Sequence, residues 1–247
     1  VEKRFSSTAR LLTSYTWGKL IADTISNPLN FGGGEGTGTF GYQNGKFNRA
    51  AERAEDPSNV PHRLTLSGYY ELPFGRDRGW RNRHPLLSHL ISGWQSNTVT
   101  TLSSGQPLVI RGANNGLADR PNLLRDPRLP EGYVDPNPGR GIQWFDPLAF
   151  ENPSLYTWGN VPRAISSVRQ PAAIIVNTSM FKTFALTETV RLQFRGEAFN
   201  APNHTNLAAA SGSFTAGSNR LNANDAFGRI TAARDPRRMQ FALKLIF

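Results

Sequence analysis

Four residue groups in this sequence could carry chemistry. The stretch Gly36-Thr37-Gly38-Thr39-Phe40-Gly41 fits G-x-G-x-x-G. That spacing cradles a pyrophosphate when a strand precedes it and a helix follows. Here it lies within Gly- and Asn-rich sequence with no helical periodicity after it, so a flexible loop is the expectation. The histidines His62, His84, His89 and His204 are scattered. None has the i,i+4 spacing or the neighbouring carboxylates of a metal site. Asp135-Pro136-Asn137-Pro138-Gly139 has the start of a calcium loop but no downstream acid at the required spacing, and reads as a turn. No G-x-S-x-G elbow is present. The remaining group is Arg191, Gln193, Arg195 and Glu197, four polar residues at every second position. Period two is the spacing of one face of a β-strand. Across a sheet such a row could form a charge ladder with Arg238, Gln240 and Lys244. No catalytic residue, cofactor or metal site is expected, and the protein is read as a non-enzyme.

The elements that position this row are strands. The last ten residues alternate strictly. Met239, Phe241, Leu243, Leu245 and Phe247 fall on one parity; Arg238, Gln240, Ala242, Lys244 and Ile246 fall on the other. A membrane-spanning barrel strand needs about 9–11 residues with this alternation, apolar to lipid and polar to the lumen. Five further strands are expected near 7–17, 62–72, 92–102, 173–184 and 190–200. The apolar faces of the third and fourth are weaker, and the alternation of the fourth blurs at Lys182. Between these strands the links alternate: long at 18–61, shorter at 73–91, very long at 103–172, tight at 185–189, long at 201–237. Long structureless loops are uncommon in compact soluble domains. Outer-membrane barrels place long loops outside the cell and short turns in the periplasm. Aromatic residues Tyr15, Trp17, Tyr69, Tyr70, Trp94, Phe184, Phe199 and Phe247 mark strand ends, where amphipathic rings favour the headgroup level.

Composition agrees. No run approaches about 18 consecutive apolar residues, which excludes a membrane-spanning helix. The mean hydropathy of −0.44 is compatible with a barrel, because half of every strand faces water. With 23 Gly and 17 Pro among 247 residues, long loops are expected. The absence of cysteine excludes disulfides and Cys-based metal or redox sites. The net charge of +10 could mark a nucleic-acid binder. The basic residues are spread out, however, apart from Arg76, Arg78, Arg81, Arg83 and the pair Arg237, Arg238, so no nucleic-acid partner is expected. The first residues, Val1-Glu2-Lys3-Arg4-Phe5, lack the apolar core of a signal peptide. The chain opens almost directly into strand-like sequence, and a fragment of a longer protein is expected.

Several phrases then occur in a familiar order. Tyr15-Thr16-Trp17-Gly18-Lys19 ends the first strand. Val60-Pro61-His62-Arg63-Leu64-Thr65-Leu66-Ser67-Gly68 leads to Tyr70-Glu71-Leu72-Pro73-Phe74-Gly75. Gly93-Trp94-Gln95 precedes Ser104-Gly105-Gln106-Pro107-Leu108. Phe181-Lys182 comes before the run from Arg191 to Asn200 and then Asn203-His204-Thr205-Asn206, with the terminal Phe247. Together they resemble the C-terminal part of TonB-dependent outer-membrane receptors, closest to the Oar-like type common in acidobacteria. The resemblance runs over the whole chain. It implies an all-β, antiparallel transmembrane β-barrel, with this chain supplying about the last six strands of twenty-two. It also implies a bacterial outer-membrane location, and a plug domain and TonB-contacting segment that this sequence does not include.

The row Arg191, Gln193, Arg195, Glu197, Arg238, Gln240 and Lys244 would then be a lumen-facing polar wall that stabilises the barrel and meets the plug. The set Met239, Phe241, Leu243, Leu245 and Phe247 would be the C-terminal strand read by the barrel assembly machinery. The expected partners are outer-membrane lipid, the plug and remaining strands, the TonB complex and that machinery. Substrate selection is expected in the loops 18–61 and 103–172. Six strands cannot close a barrel of twenty-two, and an open edge cannot sit in lipid. A soluble β-sandwich that binds carbohydrate is the alternative, since such a domain could also end on an alternating strand.

Overall fold

A computed structural model of the chain describes residues 2–6, 8–23, 49–73, 90–113, 120–214 and 226–247. The stretch 36–41, the arginines Arg76, Arg78, Arg81 and Arg83, and His84 and His89 lie outside the described residues. Seven antiparallel strands form one sheet: β1 (Glu2–Ser6), β2 (Ala9–Trp17), β3 (His62–Glu71), β4 (Gln95–Ser103), β5 (Ala173–Ala185), β6 (Arg191–Phe199) and β7 (Arg238–Ile246). Their order in space is their order in the chain, so each pairs with its sequence neighbours in an up-and-down meander. The six expected strands are all present. β1 was not expected; it pairs with β2 around a one-residue irregularity near Ser6. It adds a tight link at the same end as the 186–190 turn, and the short–long alternation continues.

Paired residues in an antiparallel ladder share a face, so the register sorts the whole sheet. Leu192, Phe194, Gly196 and Ala198 of β6 stand opposite Leu245, Leu243, Phe241 and Met239 of β7. Arg191, Gln193, Arg195 and Glu197 stand opposite Ile246, Lys244, Ala242 and Gln240. The apolar face continues through Met180, Val176 and Ile174 of β5, Leu102 of β4, Leu64 and Leu66 of β3, and Leu11 and Tyr15 of β2. Lys182 falls on that apolar face, opposite Phe194. This explains why the alternation blurs there. Its side chain is only 4% exposed, its Nζ donates to the Leu90 carbonyl at 2.9 Å, and it lies 4.6 Å from the centre of the Phe184 ring.

The described parts of the long links are not structureless. They fold together at one end of the sheet into a cap held by short strand pairs. Pro107–Leu108 pairs with Ile165–Arg169, Asn122–Leu123 with Phe150–Glu151, Ile142–Gln143 with Arg229–Ile230, and Ile21–Ala22 with Ala54–Glu55. Phe145, Phe150, Phe214 and Phe227 pack edge-on or tilted against one another, with Leu108, Ile110, Val161 and Ile165 around them. Among the described residues, every fully buried apolar side chain except Ala173 belongs to this cap. Among the described residues, no buried apolar cluster lies against either face of the seven-stranded sheet.

Candidate functional site: a polar wall beneath a folded cap

The seven polar residues singled out from the sequence share the polar face of β6 and β7. Three of them interact directly. Arg195 Nη2 lies 2.5 Å from Glu197 Oε1, and Gln240 Nε2 donates to the other Glu197 oxygen across the strand pair. Gln193 stands opposite Lys244 and reaches Thr183 Oγ1 of β5 at 3.4 Å. Arg191 stands opposite Ile246. Arg238 departs from the ladder: its guanidinium turns to Asp235 at 3.0 Å, at the cap end. The wall is thus a strip of hydrogen-bonding groups with both signs of charge. It lacks the converging acid, base and nucleophile that a reaction centre needs. Among the described residues no three His, Asp or Glu side chains converge as a metal site.

Where the wall meets the cap there is a recess of about 630 Å³. Asn177 and Phe199 line it from the strands, Asn206, Arg234 and Asp235 from the returning loop, with Arg238 at its side. The lining sets two guanidiniums, amides and the Asp235 carboxylate beside the apolar surface of Ile175, Phe199, Pro236 and Met239, a mixture that suits a solute with both polar and apolar parts. The asparagines also shape the chain. Asn200 has φ 49° and Asn203 φ 55°, a left-handed backbone that Asn tolerates better than most residues. Asn200 grips His204 through both amide atoms at 2.9 and 3.0 Å, and Asn206 grips the backbone of Ile174 through both of its amide atoms at 2.8 Å. The loop therefore leaves β6 by folding back over the top of β5. The sequence signal was present in the closely spaced asparagines after Phe199, but not the recess they build. His62 lies at a strand end, where Tyr15 Oη and His62 Nδ1 share a hydrogen bond of 2.9 Å. His204 enters through its backbone alone.

The cap is clasped by ion pairs between different loops. Glu52 pairs with Arg120 at 2.5 Å, Asp56 with Arg163 at 3.9 Å, and Glu55 with Arg169 through both oxygens at 2.7 and 2.8 Å. Asp135 and Arg229 make two parallel bonds, each 2.8 Å. Such fork-to-fork pairs combine charge with fixed geometry. The two hydrogen bonds from Arg229 hold the Asp135 carboxyl down at about 2, helped by the Asn137 amide against some desolvation. Burial pushes the Glu55 carboxyl up, but hydrogen bonds from Ser166, Arg169 and Asn59 outweigh it, and the net shift is downward. Burial lowers the Arg163 guanidinium, and only partly is this offset by Asp56. The turn expected at Asp135 is present, since Asp135 Oδ1 accepts from Asn137 N at 2.8 Å. Its pairing with Arg229 joins chain segments so far apart that spacing carries no trace of it.

A family model described as an outer membrane beta barrel domain matches residues 1–240. No curated protein and no solved structure matches the chain.

Proposed function

We propose, from the premise that the chain belongs to the family of outer-membrane β-barrel domains, that it is wall and outer cap of a TonB-dependent transporter of the Oar-like type. The observation that carries the membrane part is the location of the core. Met239, Phe241, Leu243 and Leu245 are exposed, and among the described residues their face is covered only at the Leu90–Trp94 turn, which meets Lys182 and Phe194. An apolar surface of that extent marks a membrane or protein contact, and the barrel family favours the membrane. Lipid then covers it, and the carbohydrate-binding sandwich falls, because a sandwich would bury this face against a second sheet.

The polar wall then faces the lumen, the cap closes over the extracellular end, and the turn at Leu186–Val190 faces the periplasm. In this reading the wall meets a plug domain. The solute passes the recess beside Arg234 and Arg238, and the TonB complex supplies the energy. No bond is made or broken at this chain. Support for the TonB-dependent type comes from the ordered phrases from Tyr15-Thr16-Trp17 to Asn203-His204-Thr205-Asn206, and from loops long enough to fold as a unit. The test is conductance of the full-length protein in a planar bilayer. A plugged transporter stays closed until mild urea unfolds the plug, and then conducts. Steady conductance on insertion would contradict the TonB-dependent reading and leave a simple diffusion pore.

A further inference from the structure

Most polar groups of the recess between wall and cap are already committed. Asn206 spends both amide atoms on the backbone of Ile174, and Asn200 spends both of its own on His204. Gln240 donates to Glu197, and Arg238 pairs with Asp235 at 3.0 Å. Arg237, next in the chain, turns a guanidinium N–H to the Ala201 carbonyl at 3.3 Å. Two side-chain donors are left. The exposed Arg234 guanidinium has no partner among the described residues. The Asn177 amide uses only its oxygen, which accepts from Asn200 N at 3.1 Å. The charged residues among the lining are Arg234, Arg238 and Asp235. The recess therefore carries one net positive charge, and the uncommitted cation is Arg234.

Beside this cation lies apolar surface on the wrong side of the sheet for lipid. Phe199 stands opposite Arg238, and Ile175 shares a face with Asn177, so both belong to the polar face. Phe199 is nonetheless 43% exposed. The backbone that presents these groups is pinned. Arg234 N donates to the Asn206 carbonyl at 2.7 Å, and Ala201 N to the Val176 carbonyl at 2.8 Å. Arg237 N donates to Asn203 Oδ1 at 3.0 Å. A site fixed in this way loses little ordering entropy when a ligand binds. Its volume of about 630 Å³ falls within the about 300–1,000 Å³ usual for small-molecule pockets.

We propose that this recess takes a monoanionic carboxylic acid with an apolar body, aryl or short alkyl. The carboxylate is held by Arg234, and the apolar body lies on Phe199 and Ile175. A guanidinium fork matches the two oxygens of a carboxylate. A second negative charge on the solute would meet Asp235. A wholly polar solute would leave Phe199 and Ile175 without a contact. The inference rests on the reading that a solute passes this recess, and it adds the class of that solute.

The experiment uses the full-length protein in lipid nanodiscs, with the signal of empty nanodiscs subtracted. The probe is dansylglycine, a fluorescent aromatic acid with one carboxylate, and its carboxamide is the neutral control. Dansylglycine should bind saturably and the carboxamide about tenfold more weakly, the size of one lost charge-assisted contact. Arg234→Gln should weaken dansylglycine by about the same tenfold and leave the carboxamide unchanged. Arg234→Lys keeps the charge without the fork and should fall between the two. Arg140→Gln, on the exposed cap surface, should alter neither ligand. Equal binding of acid and carboxamide, indifference to Arg234→Gln, or no saturable binding would each overturn the inference. Conductance of the same preparation reports on transport separately. A barrel that opens only in urea but does not prefer the acid sinks the solute class alone. A steadily open pore that still prefers the acid sinks the TonB-dependent reading alone.

Discussion

Gly196 shows how one residue serves this surface. A Cβ placed there would sit 3.3 Å from the Phe241 ring, which lies across the glycine from the neighbouring strand. Glycine in a strand is a weak point, having no side chain to pack. Here the phenylalanine covers it and gains a stacking partner in Phe194. Phe241→Ala should therefore destabilise the full-length barrel by about 1 kcal/mol, with much of that cost absent when Gly196 is already Leu. A double-mutant cycle by urea unfolding in micelles checks this, and strict additivity would refute the coupling. The alternation that placed Phe241 on the apolar face was legible in the sequence, because period two is a local property. The pairing with Gly196 was not, because it depends on register. Lys182 is the opposite case: its charge blurred the pattern, and only the fold reveals the Leu90 carbonyl that satisfies it.

At the scale of elements, the strands and the cap obey different rules. Six of the seven strands could be read from their own residues, β4 and β5 less clearly than the rest, and the hairpin β5–β6 from the tight link that Val190 closes onto Leu186 and Thr187. β1 escaped, since Glu2–Ser6 is short and carries no apolar alternation. The cap could not be read as a structure. Its strands are mostly two residues long, its aromatic core draws on two loops, and its ion pairs join distant positions. Its stability should accordingly be separable from that of the sheet. Glu52→Ala removes one carboxylate from the buried Arg120, a loss of about 3–5 kcal/mol when such a pair is broken. Limited proteolysis should then cut within 120–172 while β5–β6 stays protected. Acid should act on the same unit. The folded pKa values of Asp135 and Glu55 lie below their ordinary values of 3.8 and 4.5. Their contribution is thus complete above about pH 4.5 and fades as the pH falls towards 2. Cap proteolysis followed from pH 6 to pH 2 should rise across that window and stay flat above it.

For the whole molecule, the distribution of burial is the decisive property. A soluble protein places its core beneath its largest sheet. This one places it in the loops and leaves the sheet apolar on one side and polar on the other. The alternating link lengths in the sequence pointed to that arrangement, but did not show that the long links close over one another into a cap. The central claim is that β2 to β7 span the outer membrane with the cap outside and the Leu186–Val190 turn inside. The most direct measurement uses single cysteines, which the chain itself lacks. Val134→Cys lies on the cap surface, where Val134 is 82% exposed, and Glu188→Cys lies in the short turn. With full-length protein in the outer membrane of intact cells, a membrane-impermeant maleimide should label the Val134→Cys variant at once and the Glu188→Cys variant only after the outer membrane is permeabilised. Equal labelling of both in intact cells, or recovery of the protein in the soluble fraction, would contradict the account.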